Sequence, residues 1–226
     1  GVGIDSLDKE YLKLRKIKII KLKNELTDSV AELFLTLILI SLRKIIENYS
    51  VLKKKKWNPI IGNNLANKKV GIIGYGKIGK KLHKYLKVFN CKVFIFEKKK
   101  IKTYKKSSLE KIFKICDVAC VSLSLNSKTK NLINNKILKN ARKDIIIINA
   151  SRGAIINEID LLQFLKTNKK SSTYLDCFTN EPYEGKLLDQ NNVFAIPHIA
   201  SLTKETRYKM EHAASKHLIN YLKSFE

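Results

Sequence analysis

Arginine is scarce in this chain. Only Arg15, Arg43, Arg142, Arg152 and Arg207 are Arg among its 45 basic residues, although the formal net charge reaches +25. A surface built to read phosphates favours Arg, whose planar fork bonds an anion through two donors at once. A surplus carried by Lys, in a sequence also rich in Ile and Asn, instead reads as solvated faces in an AT-rich coding background. Nucleic acid is therefore not an expected partner. The four cysteines, Cys91, Cys116, Cys120 and Cys177, form no C-x-x-C pair, and no His stands at ligand spacing from them. That excludes a zinc-finger framework and predicts no metal. It also predicts a reduced, cytoplasmic chain. No secretory leader is visible and none is expected, and there is no solenoid-like repeat and no long low-complexity tract. The most apolar run, Leu33 to Leu42, is bounded by Glu32 and Arg43. It falls well short of the roughly 20 residues that a spanning helix needs, so a buried or dimer-forming helix and no membrane partner are expected.

The 226 residues are 44% hydrophobic, enough to fill one large domain and part of another. Residues 1–8 read as a loop, followed by a short helix and a strand over Lys18–Leu22. Thr27 or Asp28 can cap a helix running to about Tyr49, and Lys53 to Lys56 with Trp57-Asn58-Pro59 marks a boundary. From Lys69 onward, short β-branched or aromatic runs alternate with amphipathic stretches. The runs are Val70–Ile73, Val93–Phe96, Val118–Val121, Ile145–Ile148, Thr173–Leu175 and Val193–Ile196. Six strands separated by helices predict an α/β fold with a parallel sheet covered on both faces. A last helix over about Lys204–Leu222 closes the chain.

Gly74-Tyr75-Gly76-Lys77-Ile78-Gly79 fits G-x-G-x-x-G between the first strand and its helix. In that setting Gly74 permits the tight turn, Gly76 lets a pyrophosphate approach the backbone, and Gly79 brings helix and sheet together. The free amides at the helix start hold the phosphates. Glu97 ends the second strand, where a carboxylate accepts the adenosine ribose hydroxyls and repels a 2′-phosphate. That favours NAD over NADP, although Lys98, Lys99 and Lys100 follow directly and could hold such a phosphate instead.

The other chemistry-bearing residues also fall at strand ends. The third strand runs into Ser122-Leu123-Ser124 and the fourth into Asn149-Ala150-Ser151-Arg152-Gly153. The fifth ends at Asp176, with Glu181-Pro182 shortly after, and the sixth runs into Pro197-His198. Open parallel sheets bind ligands at that edge. The set suits hydride transfer to a 2-oxoacid. Arg152 can hold a carboxylate, His198 can exchange a proton with the carbonyl oxygen, and a neighbouring carboxylate favours the imidazolium. His83, His212 and His217 sit in helical stretches with no partner in view and read as structural.

These motifs together resemble the D-isomer-specific 2-hydroxyacid dehydrogenases, a family that includes phosphoglycerate dehydrogenase. Residues 1–8 resemble its substrate-loop segment and Ser29-Val30-Ala31-Glu32 the start of its long interdomain helix. Residues 70–79 resemble its nucleotide fingerprint, and Asn149–Gly153, Leu175–Pro182 and Pro197–Ala200 its three catalytic segments. The resemblance implies a Rossmann-type doubly wound sheet plus a partial flavodoxin-like substrate domain. Residues 1–27 would be the remnant of the substrate domain, 28–200 the NAD-binding domain with its leading helix, and 201–226 a helix returning toward the substrate domain. It implies a catalytic triad of Arg152, Glu181 and His198. It places Asp176 near the nicotinamide, with Tyr75, Lys77, Ile78, Ser122 and Ala150 also about the cofactor. The amides of Val2 and Gly3 would touch the substrate carboxylate. Members are usually homodimers joined through the nucleotide domain and long helix, which would account for Leu33–Leu42.

The chain departs from the family in three ways. It starts with Gly1 rather than Met and lacks the family's leading half-domain, which predicts a fragment whose turnover needs the absent part. Ser122 and Ser124 stand where many members have His and Pro, and Ser201 where many have Gly. Two other readings stay open on the sequence: a non-catalytic dinucleotide-binding regulator, which the net charge favours, and an inactive remnant.

Overall fold

All six apolar runs become strands of one sheet. The computed structural model describes residues 3, 7–22, 24–99, 101 and 104–225. The strands are β1 (Lys69–Ile73), β2 (Lys92–Phe96), β3 (Val118–Val121), β4 (Ile146–Asn149), β5 (Ser172–Leu175) and β6 (Val193–Ala195). The helices are α1 (Lys9–Leu14), α2 (Thr27–Leu42), α3 (Ile45–Lys53), α4 (Lys77–Val88), α5 (Leu109–Ile115), α6 (Asn135–Leu138), α7 (Glu158–Thr167) and α8 (Lys204–Leu222). Every strand pairing is parallel, and the order is β2-β1-β3-β4-β5-β6. The winding direction reverses between β1 and β3. Neighbouring connections therefore leave to opposite faces there and open a crevice at the carboxyl edge.

Strand side chains alternate between two apolar layers. Ile72, Cys120, Ile148 and Tyr174 pack with Phe34 and Leu37 of α2 and Leu82 and Leu86 of α4. Ile73, Val121, Ile147 and Leu175 pack on the other face with Phe113 of α5 and Leu161 and Leu165 of α7. The sheet is thus buried on both sides, as a parallel sheet requires.

Before β1 the structure departs from the sequence-based expectations. Residues 18–22 form no strand: they join no ladder among the described residues, and Ile20 is exposed while Leu22 is buried. The helix expected to run to Tyr49 breaks into α2 and α3 at Lys44, whose φ is 54°. The returning chain causes the break. The Asn63 amide donates to Leu42 O at 2.7 Å, occupying the carbonyl that a continuing helix would have used. Gly62 lies so close that a Cβ there would stand 2.7 Å from the same oxygen. Neither expected cap acts as one. Leu26 occupies the N-cap position of α2 without a side-chain bond, and Asp28 pairs with Lys81 of α4 at 2.9 Å.

The apolar run of α2 is core within the single chain. Phe34, Leu37, Ile38 and Leu42 are buried against α4 and the sheet, so the run needs no second copy to account for it. Among the described residues no helix is long and apolar enough to cross a membrane. All four cysteines are free thiols. Phe34→Ala should lower the unfolding free energy in urea by about 3–5 kcal/mol, the usual cost of emptying a buried aromatic site. A helix whose apolar face served only a partner would show almost no loss in the dilute protein.

Candidate active site

The glycine loop is built by two close approaches and one open position. Gly74 turns the chain out of β1 at φ 102°, and a Cβ there would stand 2.8 Å from Ser122 O. A Cβ on Gly79 would stand 2.2 Å from Gly74 O, so α4 lies directly on the turn. Gly76 has nothing within 4 Å of where a Cβ would be, and it begins α4 without a side-chain cap. Open space over uncapped amides is what a pyrophosphate needs. The residues present therefore fit a dinucleotide.

The Ser122 hydroxyl donates to Gly74 O at 2.8 Å and ties the ends of β1 and β3 together. Lys77 reaches Asn24 with its ammonium group. Tyr75 is buried, and its hydroxyl meets His83 Nδ1 at 2.7 Å beneath the edge of the Tyr104 ring. His83 is structural, as expected, but it does have a partner. His212 stacks on Tyr208 in α8.

Glu97 lies beside this loop. Its Oε2 accepts the Tyr75 amide at 2.9 Å and its Oε1 the Lys99 amide at 3.0 Å. Burial opposes its ionisation, but the amide hydrogen bonds from Lys99, Tyr75 and Lys98 outweigh burial and hold the carboxyl below the ordinary range. Lys98 Nζ donates to Lys128 O. Lys100 lies outside the described residues.

Three further loops meet at the carboxyl edge. After β4, the buried Asn149 side chain organises the turn that carries Arg152. Its Oδ1 accepts the Ser151 amide and hydroxyl, and its Nδ2 donates to Arg152 O at 3.0 Å. Gly153 follows, and a Cβ there would fall 1.9 Å from the Phe178 carbonyl carbon, so the turn rests on the backbone beyond β5. In that second loop Glu181 Oε1 accepts the Phe178 amide at 2.9 Å. Its Oε2 lies 2.7 Å from Nδ1 of His198, in the third loop, which follows β6.

His198 itself stands at φ 52°, in the left-handed region that disfavours a side chain. The Asp176 carboxylate holds it there from below. Asp176 is fully buried, and it accepts the Ile199 amide at 2.6 Å and the Ala200 amide at 3.1 Å. Burial raises its carboxyl above the ordinary range, and those two amides counter part of the effect. Both of its oxygens thus engage backbone.

Arg152, His198 and Gly3 line a single cleft of about 460 Å³, with Ile78, Ser122 and Ala150 on its floor. The structure therefore brings Arg152 and His198 to one cleft, with Glu181 held against His198. Val2 lies outside the described residues. Sequence reasoning gave no separate roles to Asn149 and Gly153. The signals were a polar residue closing an otherwise apolar strand and a glycine directly after the Arg.

Residues 35–200 match the family of the D-isomer specific 2-hydroxyacid dehydrogenase NAD binding domain. Glyoxylate/hydroxypyruvate reductase B of Enterobacter sp. strain 638 is 31% identical, over 98% of this chain and 73% of that protein. A protein of solved structure from Thermus thermophilus is 27% identical and superposes with a TM-score of 0.90 over 99% of this chain and 74% of its own. An NADPH-dependent glyoxylate/hydroxypyruvate reductase of Sinorhizobium meliloti, solved with NADP and malonate, is 26% identical, with a TM-score of 0.84 over 93% of this chain and 69% of its own. With the glycine loop and three strand-end loops in place, these matches show that the chain belongs to the D-isomer specific 2-hydroxyacid dehydrogenases, a family of oxidoreductases with an NAD-binding domain.

Proposed function

We propose that the chain transfers hydride between nicotinamide and C2 of a small D-2-hydroxy acid or its 2-oxoacid, with Arg152, Glu181 and His198 as the catalytic set and residues 28–200 as the nucleotide-binding domain. The observation that carries this reading is the 2.7 Å His198–Glu181 pair, whose imidazole lines the same cleft as Arg152. The Arg152 guanidinium binds the substrate carboxylate through its planar fork. The amide of Gly3, with that of Val2, completes the carboxylate site.

His198 engages Glu181 through Nδ1, which leaves Nε2 for the substrate. In reduction, Nε2 of the imidazolium gives its proton to the carbonyl oxygen, and Glu181 balances the charge on the ring. In oxidation the neutral ring takes the proton back. Bound nicotinamide supplies or accepts the hydride at C2. The turn through Gly74, Tyr75 and Gly76, with Gly79 behind it and the amides of Lys77 and Ile78, would hold the pyrophosphate, while Ser122 and Ala150 would border the nicotinamide end and Asp176 would act from beneath the His198 loop.

The favoured cofactor is NAD. An ionised Glu97, fixed by two amides, stands where the adenosine ribose hydroxyls would lie and repels a 2′-phosphate. The favoured assembly is a homodimer, formed through α3 and the segment after it rather than through α2. Tyr49, Leu52, Trp57 and Ile61 are exposed there, Trp57 by 85% and Ile61 by 92%, and a concentration of exposed large apolar side chains in one segment supports an interface.

Titration of the purified chain with NADH should raise nucleotide fluorescence and saturate below millimolar concentration; no change at millimolar NADH would count heavily against the proposal. His198→Asn should lower 2-oxoacid turnover about 10²–10⁴-fold, the usual worth of a general acid, with NADH affinity within about twofold of the parent. Glu97→Ala should shift the NADPH-to-NADH affinity ratio by about tenfold toward NADPH, corresponding to about 1.4 kcal/mol of relieved repulsion. Sedimentation should give twice the 26.0 kDa chain mass, falling to one chain in the Trp57→Lys, Ile61→Lys variant; a monomeric parent would refute the interface.

A further inference from the structure

The cleft that holds Arg152 carries more positive charge than a simple 2-oxoacid requires. Lys9, the first residue of α1, and Lys21 line it together with Arg152 and His198. No Asp or Glu is among the described residues lining the cleft. Neither Lys9 nor Lys21 forms an ion pair among the described residues.

Glu10, next to Lys9, is exposed on α1 and is not among the cleft-lining residues, and three other nearby carboxylates are turned to other work. Asp8 Oδ1 accepts the Tyr11 amide at 2.9 Å as the cap of α1. Glu25 Oε2 accepts the Asn24 amide at 2.8 Å. Asp28 pairs with Lys81 on α4, which also holds the Asp28 carboxyl below its ordinary range.

The proposed catalytic set is already matched in charge. Arg152 answers the carboxylate of a 2-oxoacid, and Glu181 answers the His198 imidazolium. Two ammonium groups remain among the lining residues of one cleft, where like-signed charge concentrates an anionic ligand. Lys9 and Lys21 line this cleft, whereas Gly74, Tyr75 and Gly76 of the glycine turn are not among its described lining residues.

From this we infer that the substrate carries a second anionic group, a phosphate or a carboxylate beyond C2, held by Lys9 and Lys21. These two residues then act as specificity determinants rather than in catalysis. The inference rests on the proposed dehydrogenase reading and adds the substrate class to it.

The test uses the full chain saturated with NADH and follows nucleotide fluorescence while a hydroxy acid is added. D-Glycerate has one anionic group, D-malate has a second carboxylate and 3-phospho-D-glycerate has a phosphate. At least one of the two larger acids should bind about tenfold or more tightly than D-glycerate, and which one does so identifies the second group. In the Lys9→Ala, Lys21→Ala variant that preference should fall to about twofold or less, while NADH affinity and melting temperature stay as in the parent. A Lys9→Arg, Lys21→Arg variant should keep the preference.

Equal binding of all three acids to the parent would overturn the inference, as would a preference that survives removal of both lysines. A loss of NADH affinity in the alanine variant would overturn it too, because the lysines would then serve the cofactor. Failure of the underlying reading looks different: NADH would fail to bind, or none of the three acids would perturb bound NADH.

Discussion

The site geometry depends on one buried carboxylate. Asp176, at the end of β5, is taken fully out of water, and its two oxygens accept the amides of Ile199 and Ala200. An ionised carboxylate in such a place is costly unless hydrogen bonds replace its hydration, and burial does raise its carboxyl above the ordinary range. The cost has a structural return. The two amides belong to the residues directly after His198, so binding them fixes the backbone that holds His198 at φ 52°. A side chain in that region is strained and persists only where its surroundings enforce it. The carboxylate supplies that enforcement from the last residue before the loop that carries Glu181.

Electrostatics divide the crevice into two regions. On the nucleotide side a carboxylate is favoured: Glu97 is kept ionised by amides despite its burial. On the substrate side the charges are cationic, with Lys9, Lys21 and Arg152 around one cleft. The net charge of +25 is a poor guide to this division. Most of the described lysines are exposed, in loops as well as on helices, where water and salt screen them. What matters is where carboxylates are missing, and that is set by local capping bonds rather than by composition.

The sheet was legible in the sequence because a parallel sheet buried on both faces leaves continuous apolar runs. The strands found differ from those runs by only a residue at some ends. The phosphate loop was legible for a related reason: Gly74 and Gly79 answer to backbone approaches that no other residue allows, and Gly76 leaves the space above the helix start open. The segment before β1 was less so. Residues 18–22 have the composition of a strand but lack a ladder to join, and strand formation is decided by partners. The break at Lys44 is invisible locally, because the group that ends α2 is the amide of Asn63, some twenty residues further on. Likewise the strand-end position of Asp176 was readable, but not its grip on the loop after β6. The apolar length of Leu33–Leu42 was readable, but not whether chain or partner would cover it.

The three loops of the site form a closed series of contacts. The Arg152 turn rests through Gly153 on the Phe178 backbone. The Phe178 amide binds Glu181, Glu181 binds His198, and the residues after His198 bind Asp176. Asp176 in turn donates its amide to Asn149 O, and Asn149 organises the Arg152 turn. Each link is a backbone approach or a hydrogen bond of fixed geometry, so no one of the three side chains can shift without disturbing the other two. Ser122, Ser124 and Ser201 stand outside the ring. Ser122 bonds instead to Gly74 O across the β1–β3 crevice, so variation there alters the lining of the cleft while the relation of Arg152, Glu181 and His198 is unchanged.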